Sequence, residues 1–460
     1  MRAKSFLSLR SSLLFVLATL FAVCGPCAFS QTFTTLLNLG KGTGSFTGGA
    51  YVQGRNGDLY GSTENGGASD WGVILGITPA GSLTMTFSFD GYDGNGISRL
   101  VLGYDGDLYG TYWNTYSNQA GIFKITTEGT LTDLYTFSGS DGAIPNGPLV
   151  VGKDGNFYGT TQQGGAYNFG TIFKISPEGA FTSLLSFDGS NGAVPGPLML
   201  GNDGNFYGVT EASAKDGKGN GTIFELTASG ALIHLAKFPT NANAPTYAPL
   251  VEDSNGNFYG SFFFAAGNNN GSVYKLTPSG AYTTIYSFSG PDGANPSGFI
   301  LGTDGNLYGV TYGGGSSGRG TLYQMTTGGS LTTLCSFDGT NGANPYNLMQ
   351  HTNGSFYGAT SSGGLYGKGG GAGTIYDLNM GLAPFASLLP RSGTAGQTIE
   401  VLGQGFTGAT AVSFNGVAAT FTVMSDTLLE AVIPTGVSTG PVTVATPGGT
   451  LTSNQSFIVP

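Results

Sequence analysis

The segment Asp154-Gly155-Asn156-Phe157-Tyr158-Gly159-Thr160 decides the fold, because close copies of it return through most of the chain. Each copy has a tyrosine followed by glycine, spaced by 49 residues with one spacing of 52: Tyr60, Tyr109, Tyr158, Tyr207, Tyr259, Tyr308 and Tyr357. A period near 50 residues is typical of repeat architectures, in which each repeat is one supersecondary unit. The seven copies therefore predict seven structural units.

The third copy indicates what one unit contains. Residues 148–152 form a short apolar run, and the Asp154-Gly155 pair then suits the positive φ angles of a hairpin turn into residues 157–161. Residues 170–175 and 181–187 predict a third and a fourth strand. Both sides of the second strand are apolar or aromatic, as in sheets that are covered on both faces. The sequence thus predicts an all-β fold, a seven-bladed β-propeller of four-stranded antiparallel blades.

The two ends of the repeat array support a closed ring. The seventh repeat stops after a third strand at residues 373–378, whereas residues 32–39 resemble a fourth strand without a sheet. We expect this N-terminal strand to complete the last blade, since that pairing would remove an exposed sheet edge.

The first 30 residues predict a signal peptide. They combine the basic residues Arg2, Lys4 and Arg10 with an apolar run at 13–23 and small residues before Gln31. A retained membrane anchor is the alternative, although the run is shorter than the roughly 20 residues that a span needs. We therefore expect an exported protein, extracellular, at the cell surface or in the periplasm, with no membrane span in the mature chain.

Composition limits which partners the mature chain can bind and which disulfide bonds it can form. Removing the leader leaves 13 Lys and Arg against 26 Asp and Glu, so nucleic acid is not an expected partner. Cys335 is the only cysteine after the leader, which excludes an intramolecular disulfide in the mature chain.

The repeat pattern ends near residue 380, and a second domain follows. We place the propeller at residues 31–380, a linker at 381–384 and a domain of alternating strands at 385–460. That domain carries the pattern Pro390-x-x-Gly393, then Ile399-x-Val401-x-Gly403-x-Gly405-Phe406, and later Gly448-Gly449-Thr450. It resembles an IPT/TIG domain, which implies an immunoglobulin-like β-sandwich.

The repeats themselves resemble the GloVer tandem repeats of exported bacterial proteins, through their D-G-N-[FL]-Y-G and G-T-[IL]-[FY] segments. Proteins of that family often end in a surface-sorting signal, and this chain ends in the IPT/TIG-like domain instead. The resemblance supplies no catalytic residues.

Motifs for catalysis or cofactor binding are scarce. The chain has two histidines, His234 and His351, each interpreted as a surface or strand residue, and it has no nucleophile elbow, H-E-x-x-H pair or P-loop. The Asp-Gly turns are explained by hairpin formation. The loops at 188–192 and 338–342 are better calcium candidates, but a calcium site needs six or more oxygens. We expect no cofactor and no metal.

The links between second and third strands differ from repeat to repeat, and they lie on the side opposite the Asp-Gly turns. Because variable loops on a fixed scaffold often carry binding, we predict a ligand site on this face. The candidate residues are Trp71, Tyr112, Trp113, Tyr116, Phe263, Tyr312, Arg319 and Tyr366. The bland alternative is that nothing constrains these loops.

The sequence favours an exported, non-catalytic binding or cell-surface scaffold or adhesion protein with a carbohydrate or protein ligand. The alternative is an extracellular carbohydrate-active enzyme, either a polysaccharide lyase or a glycoside hydrolase.

Overall fold

The computed structural model describes residues 31–47, 51–90, 97–114, 117, 119–212, 221–227, 230–238, 248–264, 269–365 and 371–460. Within these residues the regular elements are all β-strands, with no helix. The predicted signal peptide lies outside the described residues.

Strand β1 (Thr32–Asn38) precedes the repeats. The strands of the first four repeats are β2 (Ser45–Thr47), β3 (Val52–Gln53), β4 (Leu59–Asn65), β5 (Val73–Ile77), β6 (Leu83–Ser88), β7 (Val101–Leu102), β8 (Leu108–Asn114), β9 (Gln119–Ile125), β10 (Leu131–Thr136), β11 (Ala143–Pro145), β12 (Val150–Val151), β13 (Phe157–Gln163), β14 (Thr171–Ile175), β15 (Phe181–Ser186), β16 (Ala193–Pro195), β17 (Met199–Leu200), β18 (Phe206–Ala212), β19 (Thr222–Leu226) and β20 (Leu232–Lys237). The last three repeats contain β21 (Val251–Glu252), β22 (Phe258–Phe262), β23 (Ser272–Leu276), β24 (Tyr282–Ser287), β25 (Ala294–Leu301), β26 (Leu307–Gly313), β27 (Thr321–Met325), β28 (Leu331–Ser336), β29 (Ala343–Gln350), β30 (Phe356–Ser362) and β31 (Thr374–Asn379).

Each repeat forms its own antiparallel sheet, in which consecutive strands are neighbours. The first strand is the least regular. It is continuous in β25 and β29 but split in the third repeat, where β11 and β12 both pair with β13. Gly147 separates these two pieces with a φ of 77°, and Pro148 after it has no N–H to donate. The four predicted strands per repeat are thus present, with an interruption that the sequence analysis missed.

Consecutive sheets pack face to face through the repeated tyrosines. The Tyr109 ring lies 3.9 Å from the Phe157 ring of the next repeat, and Tyr158 lies 4.1 Å from Phe206. The same contact recurs later in the chain, at 4.1 Å between the rings of Tyr308 and Phe356. The tyrosine of one motif therefore contacts the phenylalanine of the next motif along the chain, and this contact joins neighbouring sheets.

The seventh sheet receives its fourth strand from the N-terminus, as the sequence predicts. β1 pairs antiparallel with β31, with Phe33 opposite Leu378 and Thr34 opposite Asp377. The same sheet contacts the first repeat, because the Gln53 side chain donates to Thr352 Oγ1 at 2.9 Å and accepts from the Thr352 N–H at 3.0 Å. The contacts between sheets thus return from the last repeat to the first.

The C-terminal domain, residues 385–460, consists of two four-stranded antiparallel sheets. Its strands are β32 (Ser387–Leu389), β33 (Thr398–Leu402), β34 (Ala411–Phe414), β35 (Val417–Ala419), β36 (Phe421–Val423), β37 (Leu428–Val432), β38 (Val442–Thr446) and β39 (Gly449–Thr452). The strand orders are β32-β33-β37-β36 and β35-β34-β38-β39. Val401 and Leu429 of one sheet share a buried core with Phe414 and Val444 of the other.

Candidate ligand-binding face

We call the side of the repeats that carries the Asp-Gly and Asn-Gly turns the turn side. The opposite side, which carries the links between second and third strands, is the loop side.

One register position places a ring of side chains at the loop side. It is the fourth residue after the repeated tyrosine, and it holds Glu64, Trp113, Gln162, Glu211, Phe263, Tyr312 and Ser361. Two residues earlier on the same strand face, Ser62 Oγ donates to Ser98 O at 3.3 Å and Thr160 Oγ1 to Gly196 O at 3.0 Å. Because side chains alternate along a strand, residues at the fourth position face the first strand of the next repeat near its loop-side end. We call these seven residues the loop-side rim.

Neighbouring rim residues lie close to one another where rings are present. The rings of Phe263 and Tyr312 are 6.1 Å apart, although they belong to different repeats. Tyr346 of β29 lies close enough to Glu64 and Tyr312 that both help to raise the pKa of its hydroxyl, after burial as the main cause. Trp113, Phe263 and Tyr312 of the predicted set thus occupy equivalent rim positions, and Phe263 and Tyr312 are in contact.

Trp113 has an unsatisfied donor. The side chain is half-buried, and its indole Nε1 is buried without a hydrogen-bond acceptor in the described part of the chain. Beside it is a cavity of about 130 Å³, lined also by Phe137, Ser138, Gly142 and Ile144. Leaving a buried N–H unpaired costs roughly 1–3 kcal/mol, so an acceptor that entered this cavity would recover that cost.

Two predicted residues are placed differently from the expectation. Tyr112 lies in β8 and not in a loop, and its ring is buried, with 5% of its surface exposed. The prediction of a loop position was wrong because β8 runs to Asn114, which puts Tyr112 on the face toward the preceding sheet. Trp71 is in a link, but it is half-buried. It packs against the hydrophobic cluster between the first two sheets that also contains Tyr112.

Arg319 is exposed in the link of the sixth repeat, where its backbone carbonyl accepts a 2.8 Å hydrogen bond from Asn344 N–H. Tyr116 and Tyr366 lie outside the described residues.

The Glu64 carboxyl is exposed to solvent, yet surrounding protein raises its pKa above the usual range. A group that touches water while protein surrounds it is typical of a concave surface. The sequence analysis missed Glu64 and Tyr346, and the signal for Glu64 was its register with Trp113.

The loops proposed as calcium candidates use their carboxylates internally. Asp188 Oδ1 accepts from Ser190 N–H at 2.8 Å and from Asn191 N–H at 3.0 Å. Asp338 Oδ1 accepts in the same way from Thr340 N–H at 2.8 Å. Within the described ranges, groups of three or more His, Cys, Asp or Glu side chains that could hold a metal ion are not found.

The two histidines have different positions. His234 is exposed on β20, as expected for a surface strand residue. His351 is fully buried, and its Nε2 lies 3.0 Å from Gly57 O while its Nδ1 accepts from Asn353 N–H at 3.1 Å. These partners require the Nε2–H tautomer, so His351 connects the seventh repeat to the first and is not a surface residue.

The C-terminal domain covers the turn side. The guanidinium of Arg391 donates to Leu200 O, Gly201 O and Asn202 Oδ1 of the fourth repeat. Glu400 forms a two-pronged ion pair with Arg55 of the first repeat, at 2.6 and 2.7 Å.

Apolar side chains fill the space between these polar contacts. Leu389, Leu402 and Leu428 pack in the same cluster as Val52 and Leu102, which belong to first strands of the repeats. The loop side is therefore the face that this domain leaves uncovered.

The fold and the rim define a class, an all-β repeat protein with a separate C-terminal β domain. Residues 18–220 and 195–419 match the Gloeobacter/Verrucomicrobia repeat, so the chain belongs to that family. The IPT/TIG domain matches residues 385–459. Both resemblances noted in the sequence are thus confirmed, and the repeat match extends past residue 380.

Solved structures share the propeller-like architecture. A streptogramin B lyase superposes with a TM-score of 0.53 at 18% identity, over 76% of this chain and 97% of that one. A fungal alcohol oxidase in complex with copper gives 0.49 at 11% identity over 95% and 99% of the two chains. A PQQ-bound aldose sugar dehydrogenase from Streptomyces coelicolor gives 0.43 at 16% identity over 62% and 93%. At these identities the first likeness shows a common fold alone.

A comparison with curated proteins found no match. In the described part of the chain there is no helix long and apolar enough to cross a membrane.

Proposed function

We propose that the chain is an exported, non-catalytic binding protein that holds a carbohydrate on the loop-side rim. The observation that carries the proposal is that Trp113, Phe263 and Tyr312 occupy the same register position in their repeats, with the Phe263 and Tyr312 rings 6.1 Å apart, on the face that the C-terminal domain leaves open. Export is supported by the leader in the sequence. A cell-surface scaffold or adhesion role would use the same face.

The scaffold in this proposal is a seven-bladed β-propeller followed by an immunoglobulin-like sandwich. Support comes from the consecutive contacts between repeats on the turn side, such as Tyr104 OH to Gly152 O at 3.2 Å and Lys153 Nζ to Asp203 O at 3.1 Å. The β1–β31 pairing and the His351–Gly57 contact join the last repeat to the first. A closed ring leaves no sheet edge for another chain to extend.

Carbohydrate is favoured over protein as the ligand because of the rim chemistry. Tryptophan and tyrosine present apolar faces with a polar edge, which suits the C–H and O–H faces of a sugar ring. The unsatisfied Trp113 N–H and the accessible Glu64 carboxylate add a donor and an acceptor for hydroxyl groups.

The alternative is a carbohydrate-active enzyme, and one observation favours it. Two carboxylates, Glu64 and Glu211, occupy the rim position in the first and fourth repeats. Glycosidases use paired carboxylates, and a raised pKa as at Glu64 is suited to a general acid. However, burial alone accounts for the raised pKa, without a contribution from a second carboxylate among the described residues.

The test is a screen of the purified mature chain against soluble polysaccharides by affinity electrophoresis, followed by calorimetry on the best ligand. Trp113→Ala and Tyr312→Ala should each weaken binding about tenfold or more, because aromatic anchors dominate such interfaces. Tyr167→Ala is the matched control, since Tyr167 is 60% exposed in a link outside the rim. An equal loss in Tyr167→Ala would move the site from the rim to the outer loops.

Product analysis separates the two functions. Release of new reducing ends from the bound polysaccharide, abolished in Glu64→Gln or Glu211→Gln, would replace the binding proposal with the enzyme. Binding without turnover, sensitive to Trp113→Ala, supports it. Binding to a protein and to none of the polysaccharides would overturn the choice of ligand.

A further inference from the structure

The first strands of the repeats face the middle of the molecule, and one of them carries a charge. Ten residues before the repeated tyrosine, and directly before a buried leucine, phenylalanine or tyrosine, the seven repeats have Ala50, Arg99, Pro148, Pro197, Pro249, Gly298 and Asn347. Arg99 is the single charged residue in this set. The spacing of these positions follows that of the repeated tyrosines, so they are equivalent positions of the sequence repeat.

Contacts among these residues show that they converge. A Cβ added to Gly298 would lie 2.5 Å from Asn347 Oδ1 and 3.2 Å from the Ala248 side chain, so the first strands of the last three repeats nearly touch. Arg99 Nη2 lies 3.5 Å from Leu348 O, which joins the second repeat to the seventh past the intervening first repeat. The Arg99 side chain therefore reaches past the first strand of one repeat to that of another.

A cavity of about 240 Å³ has Arg99 in its lining. It is lined by Tyr51 and Val52 of the first repeat, Arg99, Leu100 and Val101 of the second, and Pro148 and Leu149 of the third. Apart from Arg99 its lining is apolar or aromatic. A space of this kind suits a small molecule with one anionic end and an apolar body.

The guanidinium has donors to spare. A guanidinium carries five N–H donors, and among the described residues its one hydrogen bond is the long contact to Leu348 O. Burial lowers the pKa of Arg99 to about 10. Among the described residues, none of the carboxylates contributes to raising it again. Arg99 thus stays charged at neutral pH while its side chain is half-buried beside apolar residues, a setting in which pairing with an anion is favourable.

The three other arginines of the mature chain differ from Arg99. Arg55 pairs with Glu400, Arg391 holds the C-terminal domain, and Arg319 is exposed in a link. Arg99 is the one that lines an apolar cavity.

We propose that the central cavity is a binding site for a small aliphatic carboxylate, held by a two-pronged hydrogen bond to the Arg99 guanidinium. The planar guanidinium matches the two oxygens of a carboxylate, which an inorganic halide cannot reproduce. The alkyl part would contact Val52, Val101 and Leu149. Because the C-terminal domain covers the turn side, the ligand would enter from the loop side. This site is separate from the rim and does not depend on the polysaccharide being identified.

The test uses sodium butyrate as the probe, with sodium chloride at equal ionic strength and 1-butanol as the neutral analogue. Butyrate should raise the Tm of the full mature chain in a concentration-dependent way and give a saturable signal by ligand-observed NMR. Neither control solute should do so. Arg99→Gln should weaken butyrate binding about tenfold or more, and Arg319→Gln, the exposed arginine, should leave it unchanged.

Arg99→Lys provides a second variant if Arg99→Gln does not fold. It keeps the charge and loses the two-pronged geometry. Butyrate binding should therefore weaken as in Arg99→Gln, but by a smaller factor. Three results would overturn the proposal: an equal Tm shift with chloride, an equal shift with 1-butanol, or unchanged butyrate affinity in a folded Arg99 variant.

Discussion

The repeated tyrosine does two things at the residue scale. Its ring packs on the next sheet, and its hydroxyl donates to the turn aspartate, at 2.9 Å from Tyr158 to Asp154. In the seventh repeat the turn residue is Asn353, and the donor role reverses because Asn353 Nδ2 donates to Tyr357 OH at 2.9 Å. The aspartate-to-asparagine variation therefore preserves one hydrogen bond in both forms.

A buried carboxyl in the same repeat gives a pH-dependent prediction. Burial raises the pKa of Asp377 from 3.8 to about 6, and its Oδ1 is buried without a hydrogen-bond partner among the described residues. The folded state thus holds a proton that the unfolded state has lost. The stability that protonation gives is fully present below pH 3.8 and is lost as the pH rises through about 6.

Asp377→Asn should therefore be more stable than the wild type at pH 7, by about 1 kcal/mol after allowance for partial exposure. The difference in Tm between variant and wild type should grow from pH 4 to pH 7 in calorimetric scans. Asp338→Asn is the control of opposite sign, because hydrogen bonds from Thr340 and Asn341 outweigh the effect of burial and lower the pKa of Asp338. A destabilised Asp377→Asn at pH 7 would show that the hydrogen bond between Ser355 and the carboxylate outweighs the cost of burying it.

At the scale of the element, β1 shows how much of the fold was readable from sequence. The turn pairs, the alternating strands and the absence of a fourth strand from the seventh repeat all have local or periodic signals in the sequence. Those signals alone were enough to predict that residues 32–39 pair with the seventh repeat. The C-terminal end of β8 has no such signal in the sequence, because Tyr112 and Trp113 follow the motif without a turn residue to end the strand. Strand length there depends on pairing with β9 as far as Gln119, a contact between segments that no local pattern encodes.

Phe33 should anchor β1 in the seventh sheet. Its ring lies 5.2 Å from Tyr376 and 5.8 Å from Phe337, both of which are fully buried. We expect Phe33→Ala to lower the free energy of unfolding by about 2–3 kcal/mol, which is near the low end for buried phenylalanine because the ring is half-buried. Thr34→Ala, at an exposed neighbouring position, should change it by less than about 0.5 kcal/mol.

Urea titration of both variants measures the effect. If Phe33→Ala unfolded at the same midpoint as the wild type, β1 would contribute little to the stability of the seventh sheet. A synthetic peptide of residues 31–39 added to a chain lacking them should restore part of the lost stability.

The candidate site was the hardest part to predict, and the reason is geometric. A residue's position on the rim follows from its register in strands such as β4 and β8. Glu64 and Trp113 therefore occupy equivalent positions in their repeats although their side chains differ. Reading only which loops vary brought in Trp71, which packs in a core, and missed Glu64. The burial of His351 was equally hidden, since its partner Gly57 is 294 positions away in the chain.

At the scale of the whole molecule, the C-terminal domain determines which face is available. Its arginine contacts lie on opposite parts of the turn side: Arg391 binds the fourth repeat, and Glu400 pairs with Arg55 of the first. Arg55 also donates to Tyr104 O at 2.8 Å and Asp105 O at 2.7 Å, so one side chain joins the domain to two repeats. A domain held at separated points is expected to be fixed in orientation.

We therefore expect the double variant Arg55→Ala with Arg391→Ala to release the domain while both parts stay folded. Each substitution removes charge-assisted hydrogen bonds worth roughly 1.5–3 kcal/mol. The apolar contacts of Leu389, Leu402 and Leu428 remain, as do the hydrogen bonds from Thr427 to Arg55 O and from Gln404 to Thr352, so the expected result is greater freedom of the domain and not its full separation. Small-angle X-ray scattering should show a larger maximum dimension, and chymotrypsin should cleave sooner between the domains, after Leu382 or Phe385. Arg319→Ala, an exposed arginine on the loop side, should change neither measurement.

The same double variant connects the architecture to function. If the ligand binds the loop-side rim, releasing a domain from the turn side should leave polysaccharide affinity within about twofold, because the two surfaces share no residue. A loss comparable to that of Trp113→Ala would mean that the domain contributes to the site or positions it through the ring. In that case the turn side, with Arg391 and Arg55 among its residues, would be the face to search for the ligand.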